Sequence, residues 1–415
     1  MNFQDFKLHP TVAAGIFSAG YKEPTPIQKR AIPQIMAGKD IMAMAQTGTG
    51  KTAAFVLPML NRLGAAKPGS PRALIVAPTR ELAEQIHETI RVLGRKTGIK
   101  SMAVYGGVAI GPQIKSLASA DIVVACPGRL LDHVGRKTVN LSRVEVLVLD
   151  EADHMFDMGF LPDIRRILKQ VPAKRQTLLF SATMPREIRQ LAAESLTSPS
   201  TIQVGLTAPA ETVSHALFPV SQHLKTPLLL KLLKQTPTGS VLVFTRTKHR
   251  AKRLGEQLTR AGYKTASLQG NLSQNRRQSA IRGFRDGTFQ ILVATDIAAR
   301  GIDISGVSHV INYDIPNTAD AYIHRIGRTG RAEKTGDAFT LVTDEDKDMA
   351  RAIDRVIGSK VERRRLSDFN YEAPEAASRN QNPQSPGKKS AGPIPAGSKQ
   401  QGRKPVYRSA YSGAR

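Results

Sequence analysis

Ala45-Gln46-Thr47-Gly48-Thr49-Gly50-Lys51-Thr52 is the stretch on which the reading of this chain turns. An apolar run, Ile41 to Ala45, leads into it, and a helix-patterned run, Ala53 to Leu63, follows. Strand, glycine-rich loop and helix in that order make a phosphate-binding loop. The glycines let backbone N–H groups turn inward around phosphate oxygens. Lys51 supplies a point charge at the β- and γ-phosphates, and the Thr52 hydroxyl can ligate Mg2+. The plainer reading is a Gly/Thr-rich turn with an ordinary surface lysine; the flanking strand and helix argue against it. The generic pattern opens with glycine, where this chain has Ala45.

Outward from that loop, short apolar strands alternate with helical patterns. The first half predicts strands at Ile41–Ala45, Ala73–Ala77, Ser101–Tyr105, Ile122–Ala125, Val144–Leu149 and Thr177–Phe180. Glu81–Leu93 and Asp163–Gln170 have helical spacing. Continuous apolar strands separated by helices mean a parallel sheet covered on both faces, an α/β fold. Ser198-Pro199-Ser200 and Ala208-Pro209-Ala210 bracket the expected end of this unit. A second α/β series follows at Val241–Thr245, Thr265–Leu268, Gln290–Ala294, His309–Tyr313 and Ala338–Val342, without a second phosphate loop. The expected units are 1–206, 207–370 and a tail, 371–415. In the tail Pro, Gly, Ser, Gln and Asn dominate, with scattered Lys and Arg. Such a segment cannot bury enough apolar surface to order itself, so a disordered basic tail is predicted. Tyr407 and Tyr411 suit stacking on unpaired bases, and a merely solubilising tail is the equal alternative.

Lys and Arg number 60 against 34 Asp and Glu, a formal net charge of +26, which points to a polyanionic partner, most simply nucleic acid. A ribosomal-type structural protein would share that balance, so charge indicates what is bound and not what is done. The single cysteine, Cys126, excludes an intrachain disulfide and a cysteine-rich metal site. A reducing cytoplasm fits that single cysteine; no apolar run is long enough to span a bilayer, and Met1 to Pro10 has no signal-peptide core.

The apolar run Val146 to Leu149 ends in Asp150-Glu151-Ala152-Asp153. Carboxylates at the carboxyl end of a buried parallel strand lie where ligands bind. Asp150 is the expected Mg2+ holder, partly through water, and Glu151 is placed to orient and deprotonate the attacking water. An acidic helix start is the alternative. Ser181-Ala182-Thr183 follows another strand; its hydroxyls could link the metal site to a moving neighbour or simply cap a helix. In the second unit, His324-Arg325-Ile326-Gly327-Arg328-Thr329-Gly330-Arg331 gathers cations beside two glycines. The first unit has no evident cation besides Lys51 for the transition-state charge. Arg328 and Arg331 are the expected arginine fingers, active when the two units close.

These motifs together resemble the DEAD-box RNA helicases of superfamily 2, nearest the bacterial RhlE type, over roughly residues 1 to 365. They stand in family order. Gly20-Tyr21 through Ile27-Gln28 comes first, then the phosphate loop, Pro78-Thr79-Arg80-Glu81-Leu82-Ala83, Gly106-Gly107 and Pro127-Gly128-Arg129. Asp-Glu-Ala-Asp, Ser181-Ala182-Thr183, Ala294-Thr295-Asp296 through Arg300-Gly301-Ile302-Asp303, and the His324 to Arg331 run follow. The resemblance implies two RecA-like parallel-sheet domains in tandem and ATP as the nucleotide. It implies that Gln28 reads the adenine edge with Tyr21 and Phe3 supporting the base. Gln46, Thr47, Gly48, Thr49, Gly50, Lys51 and Thr52 would cradle the phosphates, and Asp303 would touch the ribose. Ser181, Thr183 and His324 would couple the lobes. Arg80, Gly107, Arg129, Arg246, Gly270 and Thr295 would face the RNA sugar-phosphate backbone, contacts that position a strand without reading it. The family usually has Thr where this chain has Cys126, and often His where it has Gln269.

The implied activity is ATP-driven, non-processive unwinding of short RNA duplexes. An ATP-gated RNA clamp would use the same residues, and a DNA-directed ATPase is disfavoured by the Gln28 segment together with Asp150–Asp153. Ribosomal precursors and the RNA-decay machinery both fit as partners; no membrane is expected.

Overall fold

The computed structural model describes residues 1–45, 48–64, 69–204, 213–235, 239–299, 302, 304, 306–330 and 336–375. Gln46, Thr47, Asp303 and Arg331, the 206/207 limit and nearly all of the expected tail lie outside the described residues.

Two seven-stranded parallel sheets stand in tandem. The first comprises β1 (Ile41–Ala45), β2 (Ala73–Val76), β3 (Ser101–Val104), β4 (Ile122–Ala125), β5 (Val146–Leu149), β6 (Gln176–Ser181) and β7 (Ser200–Val204), in the order β3-β4-β2-β5-β6-β1-β7. The second comprises β8 (Val213–Pro219), β9 (Val241–Thr245), β10 (Thr265–Leu268), β11 (Ile291–Thr295), β12 (His309–Asn312), β13 (Gly336–Val342) and β14 (Glu362–Arg363), in the order β10-β11-β9-β12-β13-β8-β14. Strands β2, β4, β5, β6, β9, β11 and β12 are buried at every residue, as helices on both faces require.

Within the bracketed segment at 198–210 lies one strand of the first sheet that the apolar pattern does not predict. Ser200 opens β7, which pairs along the whole of β1, from Ile41 opposite Ser200 to Ala45 opposite Val204. This is an edge strand whose only buried residue is Ile202, so it shows no apolar run. At the other end, Tyr371 and Ala373 still pack on the second core with Leu366 and Phe369. The compact body therefore runs to Ala373, past the change in composition at Asn370.

The topology sets the site. Strands β5, β6 and β1 are neighbours, so the segments leaving Leu149, Ser181 and Ala45 emerge side by side at one edge. Gly50, at φ +92°, turns the chain into the helix Lys51–Leu63. That helix buries Phe55 against Phe180 of β6, with ring centres 5.3 Å apart.

Candidate active site

Lys51 is buried, and its Nζ donates to the Ala45 carbonyl at 2.9 Å, spanning the loop it belongs to. Gly48 and Gly50 both have positive φ, 84° and 92°, which a β-carbon would strain. A β-carbon on Gly50 would also lie 2.6 Å from Gln28 Nε2. Gln28 is buried and both ends of its amide are engaged. Oε1 accepts from the Thr25 N–H at 3.0 Å and Nε2 donates to the Gly50 carbonyl at 3.1 Å. The residue expected to read adenine thus clasps the phosphate loop, and each end of its amide keeps one further hydrogen-bonding position, a donor on Nε2 and an acceptor on Oε1. Phe3 and Tyr21 meet edge to face at 6.0 Å, with Phe3 buried and Tyr21 reaching solvent.

The acidic quartet follows β5. Glu151 adopts a left-handed conformation, φ 52° and ψ 53°, rare for a residue with a β-carbon and characteristic of functional sites. Asp150 is buried; burial pushes its carboxyl up to about 6 against the pull of Lys51. A carboxylate in that position is suited to a cation. Among the described residues no group of three or more His, Cys, Asp or Glu could hold a metal. Burial also pushes Glu151 upward, but His154, Lys51 and Arg328 together outweigh it and hold the carboxyl at about 2, ionised. Glu151 Oε2 meets His154 Nδ1 at 2.9 Å.

Asp153 clasps the Ser-Ala-Thr segment. Its Oδ2 accepts from the Ala182 and Thr183 N–H groups at 3.1 and 2.9 Å and from Thr183 Oγ1 at 3.1 Å. Ser181 Oγ accepts from the Asp153 N–H and donates to the Thr183 carbonyl. The crossing to the second unit is made by a histidine pair. His154 Nε2 lies 3.3 Å from His324 Nδ1, with the rings edge to face at 4.9 Å. Burial, and then His154, push His324 down to about 4, so it is neutral at pH 7.

Arg328 is buried, donates to the Ile302 carbonyl at 2.8 Å, and acts on the charge of Glu151. Its neighbour Arg325 has a different task. It forks onto Asp296 at 2.6 and 2.7 Å, donates to Asn312 Oδ1 and the Asp314 carbonyl, and stacks on Phe244.

Arg80 Nη1 donates across the lobes to Gln274 Oε1 at 3.3 Å, and its guanidinium covers Gly107, where a β-carbon would sit 2.1 Å from Nη1. Arg129 is held by the Val108 carbonyl and Gln113. Arg246 is half exposed at the end of β9, Thr295 ends β11, and Gly270 faces open space. Cys126 precedes the helix Pro127–Gly135, and burial pushes its thiol up to about 12.

Comparison with known proteins decides the family. The DEAD/DEAH box helicase family matches residues 25–191, and the helicase conserved C-terminal domain matches 224–333. The DEAD-box ATP-dependent RNA helicase CshA of Bacillus subtilis is 44% identical over 367 residues, 88% of this chain and 74% of that protein. The ATP-dependent RNA helicase CshA of Listeria monocytogenes is 45% identical over 362 residues, 87% of this chain and 69% of that one. The chain belongs to the DEAD-box ATP-dependent RNA helicases. Among solved structures, S. cerevisiae Dbp5 bound to RNA and ADP BeF3 superposes with a TM-score of 0.78 at 33% identity, covering 88% of this chain and 95% of that one. A Dbp5 variant bound to Gle1 and IP6 superposes at 0.71 with the same identity and coverage.

In this helicase Glu81, quoted above only as part of a motif, meets cross-lobe partners that stand in none of the quoted motifs. Glu81 Oε1 takes Arg277 Nε at 2.9 Å, with side chains 11% and 12% exposed, and Gln274 Nε2 at 3.4 Å. Gln274 and Arg277 are three apart on the helix Gln274–Arg285, so both reach the same facing helix. His154 directly follows the acidic quartet, and that adjacency was the only available signal for it.

Proposed function

We propose that the helicase closes its two lobes around ATP and single-stranded RNA, hydrolyses the ATP, and so parts short RNA duplexes locally and without processive travel. Residues 1–206 act as the ATP-binding half, residues 207–370 supply the arginine fingers, and 371–415 follow as the tail. The observation that carries this reading is the bridging of the lobes by His154–His324 at 3.3 Å and Glu81–Arg277 at 2.9 Å, with the charge of Arg328 acting on Glu151. An arginine from one half acts on a carboxylate of the other only when the halves are docked.

In this reading Gln28 takes the adenine edge, with Tyr21 and Phe3 beside the base and Asp303 at the ribose. Gln46 to Thr52 cradle the phosphates, and Lys51 neutralises charge at the β- and γ-phosphates. Thr52 and Asp150 would hold Mg2+, which neutralises the charge developing between those phosphates. Glu151 orients the attacking water and draws its proton. Arg328 and Arg331 meet the γ-phosphate charge in the transition state. Ser181, Thr183 and His324 report the state of the γ-phosphate site to the other lobe. Arg80, Gly107, Arg129, Arg246, Gly270 and Thr295 hold the RNA backbone in a path that an A-form duplex cannot follow. ATP and RNA each favour the closed form, because only that form completes both sites. The net charge of +26 fits a polyanionic partner. No helix among the described residues is long and apolar enough to cross a membrane. Separately, an RNA substrate fits a protein working in the cytoplasm.

The test is ATP hydrolysis with single-stranded RNA, single-stranded DNA or neither, for the wild type and Glu151→Gln. RNA alone should stimulate the wild type, and Glu151→Gln should bind both ligands with turnover lost. Turnover retained in Glu151→Gln removes Glu151 as the base. Equal stimulation by DNA reopens the substrate class. A duplex-separation assay then distinguishes unwinding from a clamp, which would hold RNA for long times and release strands poorly.

A further inference from the structure

At the carboxyl ends of β9 and β12 lies a partly buried ion cluster of which the reading above uses only Arg246. Lys225 opens the helix Lys225–Gln235 with its side chain only 2% exposed. Its Nζ stands 3.7 Å from Asp314 Oδ1 and 3.9 Å from Asp346 Oδ2. Arg250 Nη1 donates to the same Asp314 oxygen at 2.6 Å, and the Arg246 N–H donates to Asp314 Oδ2 at 2.9 Å. Arg246 Nη2 lies 3.5 Å from Asp346 Oδ1. The other Asp346 oxygen accepts from the N–H and hydroxyl of Thr343 at 3.0 and 2.7 Å.

The cluster holds three cations, Lys225, Arg246 and Arg250, and two carboxylates, Asp314 and Asp346, so it carries one surplus positive charge. The burial is graded. Lys225 and Asp314 are at 2% and Asp346 at 10%, while the arginine side chains are 49% and 39% exposed. The carboxylates are therefore covered, and the surplus is displayed outward by the two guanidinium groups. Burial pulls the Lys225 pKa below its ordinary value, and the two carboxylates oppose that pull. Without the ammonium, each arginine would be matched by one carboxylate and the exposed rim would have no charge to offer.

We propose that Arg246 and Arg250 together seat one backbone phosphate of the bound RNA, and that buried Lys225 keeps this seat positive by neutralising Asp314 and Asp346 from behind. Lys225 is thus a positioning residue that never touches RNA. The proposal rests on the reading of Arg246 as RNA-facing. It assigns Arg250 to the same contact and gives the buried lysine a role in affinity rather than in stability alone.

The test uses the full chain, poly(U) as the single-stranded RNA, and RNA-stimulated ATP hydrolysis over a range of salt. Lys225→Met should raise the half-saturating RNA concentration about three- to tenfold, as loss of one partly exposed charged contact does. It should also flatten the log–log salt dependence by about 0.7, one single-strand phosphate. Hydrolysis at saturating RNA and the KM for ATP should not change. Asp346→Asn should move RNA affinity the opposite way, and Lys225→Met combined with Asp346→Asn should return it toward wild type, because the surplus charge is restored. A packing role predicts instead that the combined variant is no better than Lys225→Met, and that result overturns the proposal. Should Lys225→Met not fold, Asp346→Asn alone decides: unchanged or weaker RNA binding overturns it. Arg246→Ala separates the two levels. No effect of Arg246→Ala removes the RNA-facing reading, and the seat with it. A clear effect of Arg246→Ala beside an inert Lys225→Met removes only the charge-setting role.

Discussion

Replacing Arg277 by alanine tests whether the lobes close through the contact they share. Its Nε meets Glu81 Oε1 at 2.9 Å with both side chains about nine-tenths covered, and Nη2 reaches the Ala298 carbonyl at 3.3 Å. Breaking a fully buried pair by removing one partner costs about 3–5 kcal/mol, since the survivor is left charged and uncompensated. The small remaining exposure and the nearby Gln274 amide reduce this to about 2–3 kcal/mol here. The cost falls on one state only. With the lobes apart, Glu81 is free to hydrate, so the loss shows as a shift between open and closed forms, not as unfolding. At about 1.4 kcal/mol per decade, the closed form becomes roughly 30- to 150-fold less populated. The assay is energy transfer between dyes on the two lobes, titrated with RNA in the presence of a non-hydrolysable ATP analogue, alongside RNA-stimulated hydrolysis. Both midpoints should move to higher RNA together, with partial recovery at saturation and an unchanged thermal midpoint. Exchanging the charges, Glu81→Arg with Arg277→Glu, should recover part of the loss. Wild-type midpoints in Arg277→Ala, or an exchange no better than either single variant, would refute the argument.

Three further outcomes follow from the geometry. Gly50→Ala forces a β-carbon into a position at φ +92° and 2.6 Å from Gln28 Nε2, so binding of a fluorescent ATP analogue should weaken by more than about tenfold. Gly107→Val, at φ +78°, drives its side chain into the Arg80 guanidinium; half-saturating RNA should rise roughly tenfold while RNA-independent hydrolysis holds steady. The Cys126 thiol, pushed up to about 12 chiefly by burial, stays in its neutral, unreactive form at pH 7. A thiol reagent should label the native protein slowly and the urea-unfolded chain at once, and rapid native labelling at neutral pH would contradict that burial.

How much of this was legible in the sequence depends on where the partner of each residue lies. Strands covered on both faces, such as β4 and β9, show as unbroken apolar runs, while β7, at the sheet edge with only Ile202 inside, gives no such run. The glycines of the phosphate loop are legible because the backbone itself demands them. Gln28 can be singled out by type, yet nothing near it in the chain announces that its amide is tied to Gly50, 22 positions on. Asp153 looks like a member of an acidic quartet, and only the adjacency of β5 and β6 makes it the clasp of Ser181 and Thr183. The limit is sharpest across the lobes. Glu81 and Arg277, 196 positions apart, sit on amphipathic helices where charged residues ordinarily mean a solvated face. His154 needs His324, 170 positions away, to become a contact at all. A contact with the other lobe adds no periodicity to a residue's own helix, so it leaves nothing to read in the local pattern. In the proposed function these cross-lobe residues are also the ones on which closure, and therefore coupling of ATP to RNA, depends.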